Sequence, residues 1–133
     1  MRVPTWVLPF LIILCAGIGI GGARLLVMPS VVKNYASPPA GASLATTILV
    51  IDGLKCVDTA ERAAGQLEGV PGVVSFTAFA SRNRAEIVFD SNICTVNDII
   101  NAIEGPVYNA STGEFLFGVY RIVEADGVQY AAK

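Results

Sequence analysis

The residue with the clearest chemistry in this chain is Cys56, in the stretch IDGLKCVDTAERA, residues 51–63. A β-branched run ends there, Gly53-Leu54 turns the chain, a cysteine follows and a helix begins. A thiolate offered by a short loop at a helix start suits soft metal ions, and two-coordinate Cu(I) or Hg(II) takes two sulfurs. Three residues on, where a second cysteine would complete C-x-x-C, stands Thr59. Threonine offers a hard, neutral oxygen. Cys56 therefore needs its second sulfur from a partner protein, a second copy of the chain or a small thiol.

The rest of the inventory narrows the chemistry. The chain has no histidine. That removes His-ligated zinc, a Ser-His-Asp triad, a histidine general base and a C-x-x-C-H haem site. The other two cysteines are Cys15 and Cys94, and three cysteines do not make a disulfide framework. No resolving cysteine lies near Cys56 in sequence and no catalytic constellation is visible, so no enzyme is predicted. Residues 46–133 carry 11 acids against six bases. A domain with that balance lacks the basic face nucleic acid needs.

The elements that must position Cys56 are legible from residue 46 onward. TTILVI, 46–51, reads as a strand. Asp58 and Glu61 have capping-box spacing, and Ala60, Ala63, Ala64 and Leu67 then recur at helical spacing. GVPG, 69–72, stops that helix. VVSFTAF, 73–79, and AEIVF, 85–89, read as strands around an SRNR turn at 81–84. Thr95 caps a second helix with Val96, Ile99, Ile100 and Ile103 on one face. FLFGVYRIV, 115–123, reads as the last strand, and Asp126-Gly127 turns VQYAA back as a hairpin partner. The order β-α-β-β-α-β is the ferredoxin-like split pattern, an α+β sandwich of two helices on a four-stranded antiparallel sheet.

Residues 1–45 read differently. WVLPFLIILCAGIGIGGA, 6–23, is 18 residues without a charge. With Arg24 snorkelling to the interface the apolar run reaches Val27. That is close to the roughly 20 residues a spanning helix needs, so residues 1–28 are expected to form one transmembrane anchor. A cleaved signal peptide is the rival reading, but no good A-x-A site precedes the linker. Gly17 and Gly21 form G-x-x-x-G, and Cys15, Gly19 and Ala23 a second small stripe, which lets helices approach closely in lipid. The expected partner is a membrane protein met through this helix. PSVVKNYASPPAGAS, 29–43, reads as a flexible or partly polyproline tether, giving a linker over 29–45 and a domain over 46–133. The flanking charges decide little; the reading leans to a domain outside the cytoplasm on a single-pass membrane protein.

Residues 46–108 resemble the heavy-metal-associated domain family of copper chaperones, metal-pumping ATPase domains and mercury-binding proteins. IDGLKCVDT stands for the family's G-M-x-C-x-x-C loop and EGVPGVVSF for its P-G-V turn into the second strand. AEIVFD stands for the third strand and IINAIEGPVY for the second helix and its end. The chain departs in having Thr59 for the second cysteine, Leu54 for the loop methionine, and an added ASTGEFLFGVY before or within the last strand. The resemblance implies the fold and, through Cys56 alone, a Cu(I) or Hg(II) site completed from outside. The alternative is a domain that binds no metal and serves as an accessory or structural subunit of a larger membrane complex. In this topology Cys56 and Cys94 lie about 15–20 Å apart, a strand length, too far to share a metal or a disulfide. The SRNR turn comes to the Cys56 end, where Arg82, Arg84 and Lys55 could favour thiolate, though arginines in a surface turn are ordinarily solvated.

Overall fold

A computed structural model of the chain describes Pro4, residues 6–25 and residues 28–130. The elements are α1 (Val7–Leu25), β1 (Val31–Asn34), β2 (Leu44–Asp52), α2 (Val57–Gln66) and β3 (Val73–Phe79). After a single 3-10 turn follow β4 (Arg84–Asp90), α3 (Val96–Glu104), β5 (Val107–Tyr108), β6 (Phe115–Leu116), β7 (Arg121–Ala125) and β8 (Val128–Gln129).

The main sheet has the order β1-β3-β4-β2-β7-β8, and every neighbouring pair is antiparallel. Its middle four strands with α2 and α3 are the ferredoxin-like β-α-β-β-α-β unit. The helices bury the faces their spacing marked: Ala60, Ala63, Ala64 and Leu67 below α2, and Ile99, Ile100 and Ile103 below α3. They close on Leu49, Ile51, Phe76, Ile87 and Ile122 from the sheet in one core. The two long crossovers each carry a helix, which returns the chain across the sheet before the next antiparallel pairing.

Several expectations are corrected. The tether contains a strand: β1 pairs with β3 from Val31↔Ala78 to Asn34↔Ser75. Its β-branched pair Val31-Val32 fills the free edge of β3. Tyr35 then fixes the segment to α2, its hydroxyl donating to the Ala64 carbonyl at 2.5 Å. The long last strand is divided. Phe115 and Leu116 pair with Val107 and Tyr108 in a separate small sheet, and only residues 121–125 join the main one. Gly118 at φ +69 breaks the extended run between them.

The α2 cap also moves. The first residue outside the helix is Cys56, with Thr59 as its capping-box partner, two residues ahead of the Asp58–Glu61 pair. The Asp126-Gly127 hairpin does form, with φ of 51° and 83° as a two-residue primed turn requires. Residues 131 and 132 of its expected strand lie outside the described residues.

The membrane-spanning helix is not supported as expected. At 1.5 Å per residue the 19 residues of α1 make about 28 Å, short of the roughly 30 Å hydrocarbon layer. Among the described residues no helix is long and apolar enough to cross a membrane. Residues 26 and 27, through which the apolar run was expected to continue, and the Arg24 side chain lie outside what is described. The helix is apolar and open over residues 7–21, and Leu8, Phe10, Ile13 and Ile18, with Trp6 just ahead of it, are all at least 61% exposed.

Candidate functional site

Cys56 sits where β2 hands over to α2. Gly53 makes that handover possible. Its φ is +102, and a Cβ there would lie 2.3 Å from the Val119 carbonyl oxygen. Both facts select glycine, since an L side chain is strained at such φ and no atom fits the gap. Leu54 turns inward and is fully buried. It ties the loop to the core, leaving Cys56 exposed above it.

Thr59 organises the loop. Its hydroxyl accepts the N–H groups of Lys55 and Cys56, each at 2.9 Å. These would otherwise be unpaired donors just ahead of a helix, and a side-chain oxygen three residues on is the usual remedy. The hydroxyl also donates to the Cys56 carbonyl at 2.9 Å and lies 3.6 Å from Cys56 Sγ. The sulfur in turn faces the N–H of Thr59. The residue in the second cysteine's place thus builds the turn that presents the first cysteine.

A hydroxyl has one proton and two lone pairs. Both lone pairs of Thr59 are committed to backbone N–H groups, so its proton is the only element free to choose a partner. Two acceptors compete for it, the Cys56 carbonyl and the Cys56 sulfur. The carbonyl already accepts Ala60 N–H at 3.0 Å, so releasing the hydroxyl leaves it paired. A thiolate at Cys56 can therefore claim the proton without orphaning any group. The Cys56 thiol is held below its ordinary pKa, chiefly by the Thr59 hydroxyl, then by the N–H of Thr59, with the N–H of Asp58 adding to it. Slight desolvation and the Asp58 charge oppose this.

The bases near the loop are solvated and do not do this. The 3-10 turn does come to the Cys56 end, where Ile51 N–H donates to the Asn83 carbonyl at 2.7 Å. Yet Lys55, Arg82 and Arg84 are exposed, and none figures in the lowering of the thiol pKa. Hydrogen-bond donors in contact outweigh solvated charges at a distance.

Tyr120 is a site residue that sequence reasoning missed. It is 2% exposed, and its hydroxyl donates to the Thr59 carbonyl at 2.6 Å. Burial raises its pKa, with Arg62 opposing and the Cys56 charge adding. Its place beneath the loop depends on how β7 is approached after Gly118, and no local pattern carries that.

Cys94 lies elsewhere. It is buried, its Cβ 3.0 Å from where a Cβ on Gly72 would be, past the carboxy end of α2. Cys56 is at the amino end of that 10-residue helix, about 15 Å away along its axis. Desolvation, then the charge of Asp98, pushes the Cys94 thiol up. Among the described residues no group of three or more cysteine or acidic side chains is placed to hold a metal.

Several solved structures are similar to part of this chain. A CopZ metallochaperone is 20% identical, with a TM-score of 0.47 over 59% of this chain and all of that one. A copper-binding domain from HMA7, a P-type ATPase, is 22% identical, with a TM-score of 0.43 over 61% of this chain and 96% of that one. Oxidized MerP from Ralstonia metallidurans CH34 is 15% identical, with a TM-score of 0.44 over 62% of this chain and all of that one. No protein-family model and no curated protein matches the chain.

Proposed function

We propose that this chain handles a soft metal ion, Cu(I) or Hg(II), through the Cys56 thiolate, with the second sulfur supplied by another molecule. The observation that carries the reading is the Cys56–Thr59 arrangement: an exposed sulfur beside a hydroxyl whose proton is free to turn to it. A thiolate, not a thiol, is the metal ligand. One thiolate holds such an ion weakly and releases it readily to a site offering two, which suits a protein that passes metal on.

In this reading α1 associates with a membrane, the domain stands on its extracytoplasmic side, and a membrane protein meets the helix at Gly17 and Gly21. The support is the apolar, unpacked surface of α1. A continuous apolar helix left open to water is unfavourable and calls for lipid or protein cover.

The test is competition titration of the full chain in mild detergent with Cu(I) and with Hg(II), alone and with a small thiol. The expected result is one metal per chain, tighter when the thiol is added, and abolished in Cys56→Ser. Unchanged affinity in Cys56→Ser would overturn the proposal.

A second reading, an accessory subunit without metal, draws on Thr59. Its hydroxyl satisfies the loop's N–H groups, so the loop is closed with no metal present. Stoichiometric association with a membrane complex, metal-free and retained in Cys56→Ser, would favour it.

A further inference from the structure

The main sheet has two faces, and α2 and α3 cover only one. Register and the alternation of side chains place the residues of the other. The row Val31–Ala78–Ala85–Leu49–Ala125, across β1, β3, β4, β2 and β7, packs towards the helices. The rows beside it point away: Phe79–Arg84–Val50–Glu124 on one side and Val32–Thr77–Glu86–Ile48 on the other. Asn34–Ser75–Val88–Thr46 is the next row on that open face. None of these outward side chains is buried, and Val32 is 57% exposed. Over these rows β1, β3, β4 and β2 carry one base and one acid, Arg84 and Glu86, two residues apart on central strand β4. Among the described residues neither is in an ion pair of its own chain.

A face of this pattern is complementary to itself. Two copies meeting face to face are related by a two-fold axis lying between the sheets. With the axis along the strands, Arg84 meets Arg84 of the copy or an apolar neighbour such as Val50, and its charge has no partner. With the axis across the strands, over the Ala78–Ala85–Leu49 row, each row lies on the row beyond the axis. Arg84 then faces the copy's Glu86, Glu86 the copy's Arg84, and Val50 the copy's Ile48. At the β7 margin Glu124 comes to the copy's Asp126 turn. Both stay at the rim, where salt screens them, and Asp126 is held by the Thr47 hydroxyl and the Ile48 N–H.

The entry of the chain agrees with the second axis. Ser30 N–H donates to the Ala78 carbonyl at 2.7 Å, and Ser30 Oγ accepts the Ala80 N–H at 3.1 Å. The chain thus joins edge strand β1 one residue from the axis row, towards the Cys56 end, where the Asn83 turn is bonded to Ile51. Two copies enter at the same edge on either side of the axis, about 12 Å apart for sheets stacked at about 10 Å. Packed helices lie about 8–10 Å apart. Five Cα steps separate Leu25, the last residue of α1, from Ser30, a reach of at most about 18 Å. Both α1 helices can therefore enter one membrane side by side. An axis along the strands sends them to opposite edges.

We infer that the membrane partner of this chain is a second copy, held through the open sheet face with Arg84 on the copy's Glu86. Four strands at about 4.8 Å and five residues at about 3.4 Å outline about 330 Å² on each copy, less than the roughly 800 Å² per partner of a stable interface. The face therefore acts between chains whose adjacent helices already hold them together, at an effective concentration of millimolar order. This inference rests on the reading of α1 as a membrane-associated helix. It also narrows the chemistry of Cys56. Asp52 lies three residues past Leu49, so the two Asp52 residues are about 20 Å apart along the strands. Cys56 follows on the side of the sheet away from the copy, so the second sulfur comes from a different molecule.

The experiment uses the full chain with Cys15→Ser, Cys56→Ser, Cys94→Ala and Val32→Cys, reconstituted in phospholipid vesicles. Val32 is one residue from the axis row, and a short bismaleimide should link the two copies there. In a chain that keeps Cys56 and has Val32 unchanged, the same reagent should link nothing. Arg84→Glu or Glu86→Arg alone brings like charges together at both contacts, and the dissociation constant should rise at least about tenfold, read from link yield against protein-to-lipid ratio. Circular dichroism confirms that each variant is folded. Mixing the two single variants, one carrying a mass tag, pairs every charge again, and the link of intermediate mass should return to the parent's yield. A repulsion confined to one chain would not be relieved by mixing.

Flotation separates the premises. A chain that does not float with vesicles overturns the membrane reading of α1 and this inference with it. A chain that floats but gives no link at position 32, a link at Cys56, a yield untouched by charge reversal, or no recovery on mixing overturns the second copy at this face alone.

Discussion

The Thr59 hydroxyl stands 2.9 Å from the Cys56 N–H and 3.6 Å from the Cys56 sulfur. One oxygen thus closes the turn and faces the thiol. The loop retains its shape with a single cysteine because its N–H groups are paired by a residue that is not a metal ligand.

Thr59→Val keeps the shape of the side chain and removes the hydroxyl. Two N–H groups lose their acceptor, and stability should fall by about 1 kcal/mol, as for other lost helix caps, read in urea unfolding. The Cys56 thiol pKa should move up towards its ordinary value of 9.0, read by ultraviolet thiolate absorbance and by alkylation rate against pH. The sign follows from the direction of the shift. A thiol lowered in the fold stabilises above its unfolded pKa, and that contribution is lost as pH falls through the folded value. The hydroxyl's role in the shift would be refuted by a titration identical in both proteins.

Thr59→Cys restores the second sulfur at the first turn of α2. The expected outcome is a gain in Cu(I) and Hg(II) affinity that no longer responds to added thiol, since both ligands now come from one loop. Equal affinity in the two chains, measured by competition with a chelator, would mean that the loop geometry and not the missing sulfur limits binding.

Gly53→Ala places a methyl 2.3 Å from the Val119 carbonyl at a φ of +102. Strain and clash together should cost at least about 1–3 kcal/mol and displace the loop from Tyr120. Thermal unfolding and the environment of Tyr120 in near-ultraviolet circular dichroism would show both. A variant as stable as the parent would contradict the close packing of loop and β7.

Alkaline pH should release β1. Burial, aided by the charge of Glu68, raises the pKa of Tyr35 above its ordinary 10.0. A raised phenol keeps its proton in the fold, so the stability it supplies is whole below about pH 10 and is lost as pH rises through the folded value. Tyr120, raised mainly by burial, acts in the same direction. Tyr35→Phe forfeits the bond to Ala64, about 1 kcal/mol at neutral pH, and should show a shallower fall in stability above pH 10. A fall as steep as the parent's would locate the alkaline sensitivity elsewhere.

Much of the fold was legible because its signals are local. The spacing of Ala60, Ala63, Ala64 and Leu67 and of Ile99, Ile100 and Ile103 names buried helix faces without reference to anything distant. The strand at 73–79 has the bounds its β-branched run suggested. The misread segments are those whose partner lies far along the chain. Val31 and Val32 are strand formers amid prolines and small residues, and only the free edge of β3, some 45 residues on, gives them a place. The divided run at 115–123 depends on Val107 and Tyr108 taking Phe115 and Leu116 before β2 can.

The sequence by itself determined the thiol inventory, the absence of histidine, the loop that holds Cys56 and the order of the elements around it. These follow from residue identity and short-range periodicity. Tertiary structure alone decided that Thr59 and not an arginine acts on the Cys56 thiol, that Tyr120 lies under the loop, and that the chain reaches the domain at the Cys56 end. The last two are set by contacts between residues tens of positions apart, which register and packing fix and no local pattern encodes. The first turns on where a single hydroxyl proton can go, and that is a matter of tenths of an ångström.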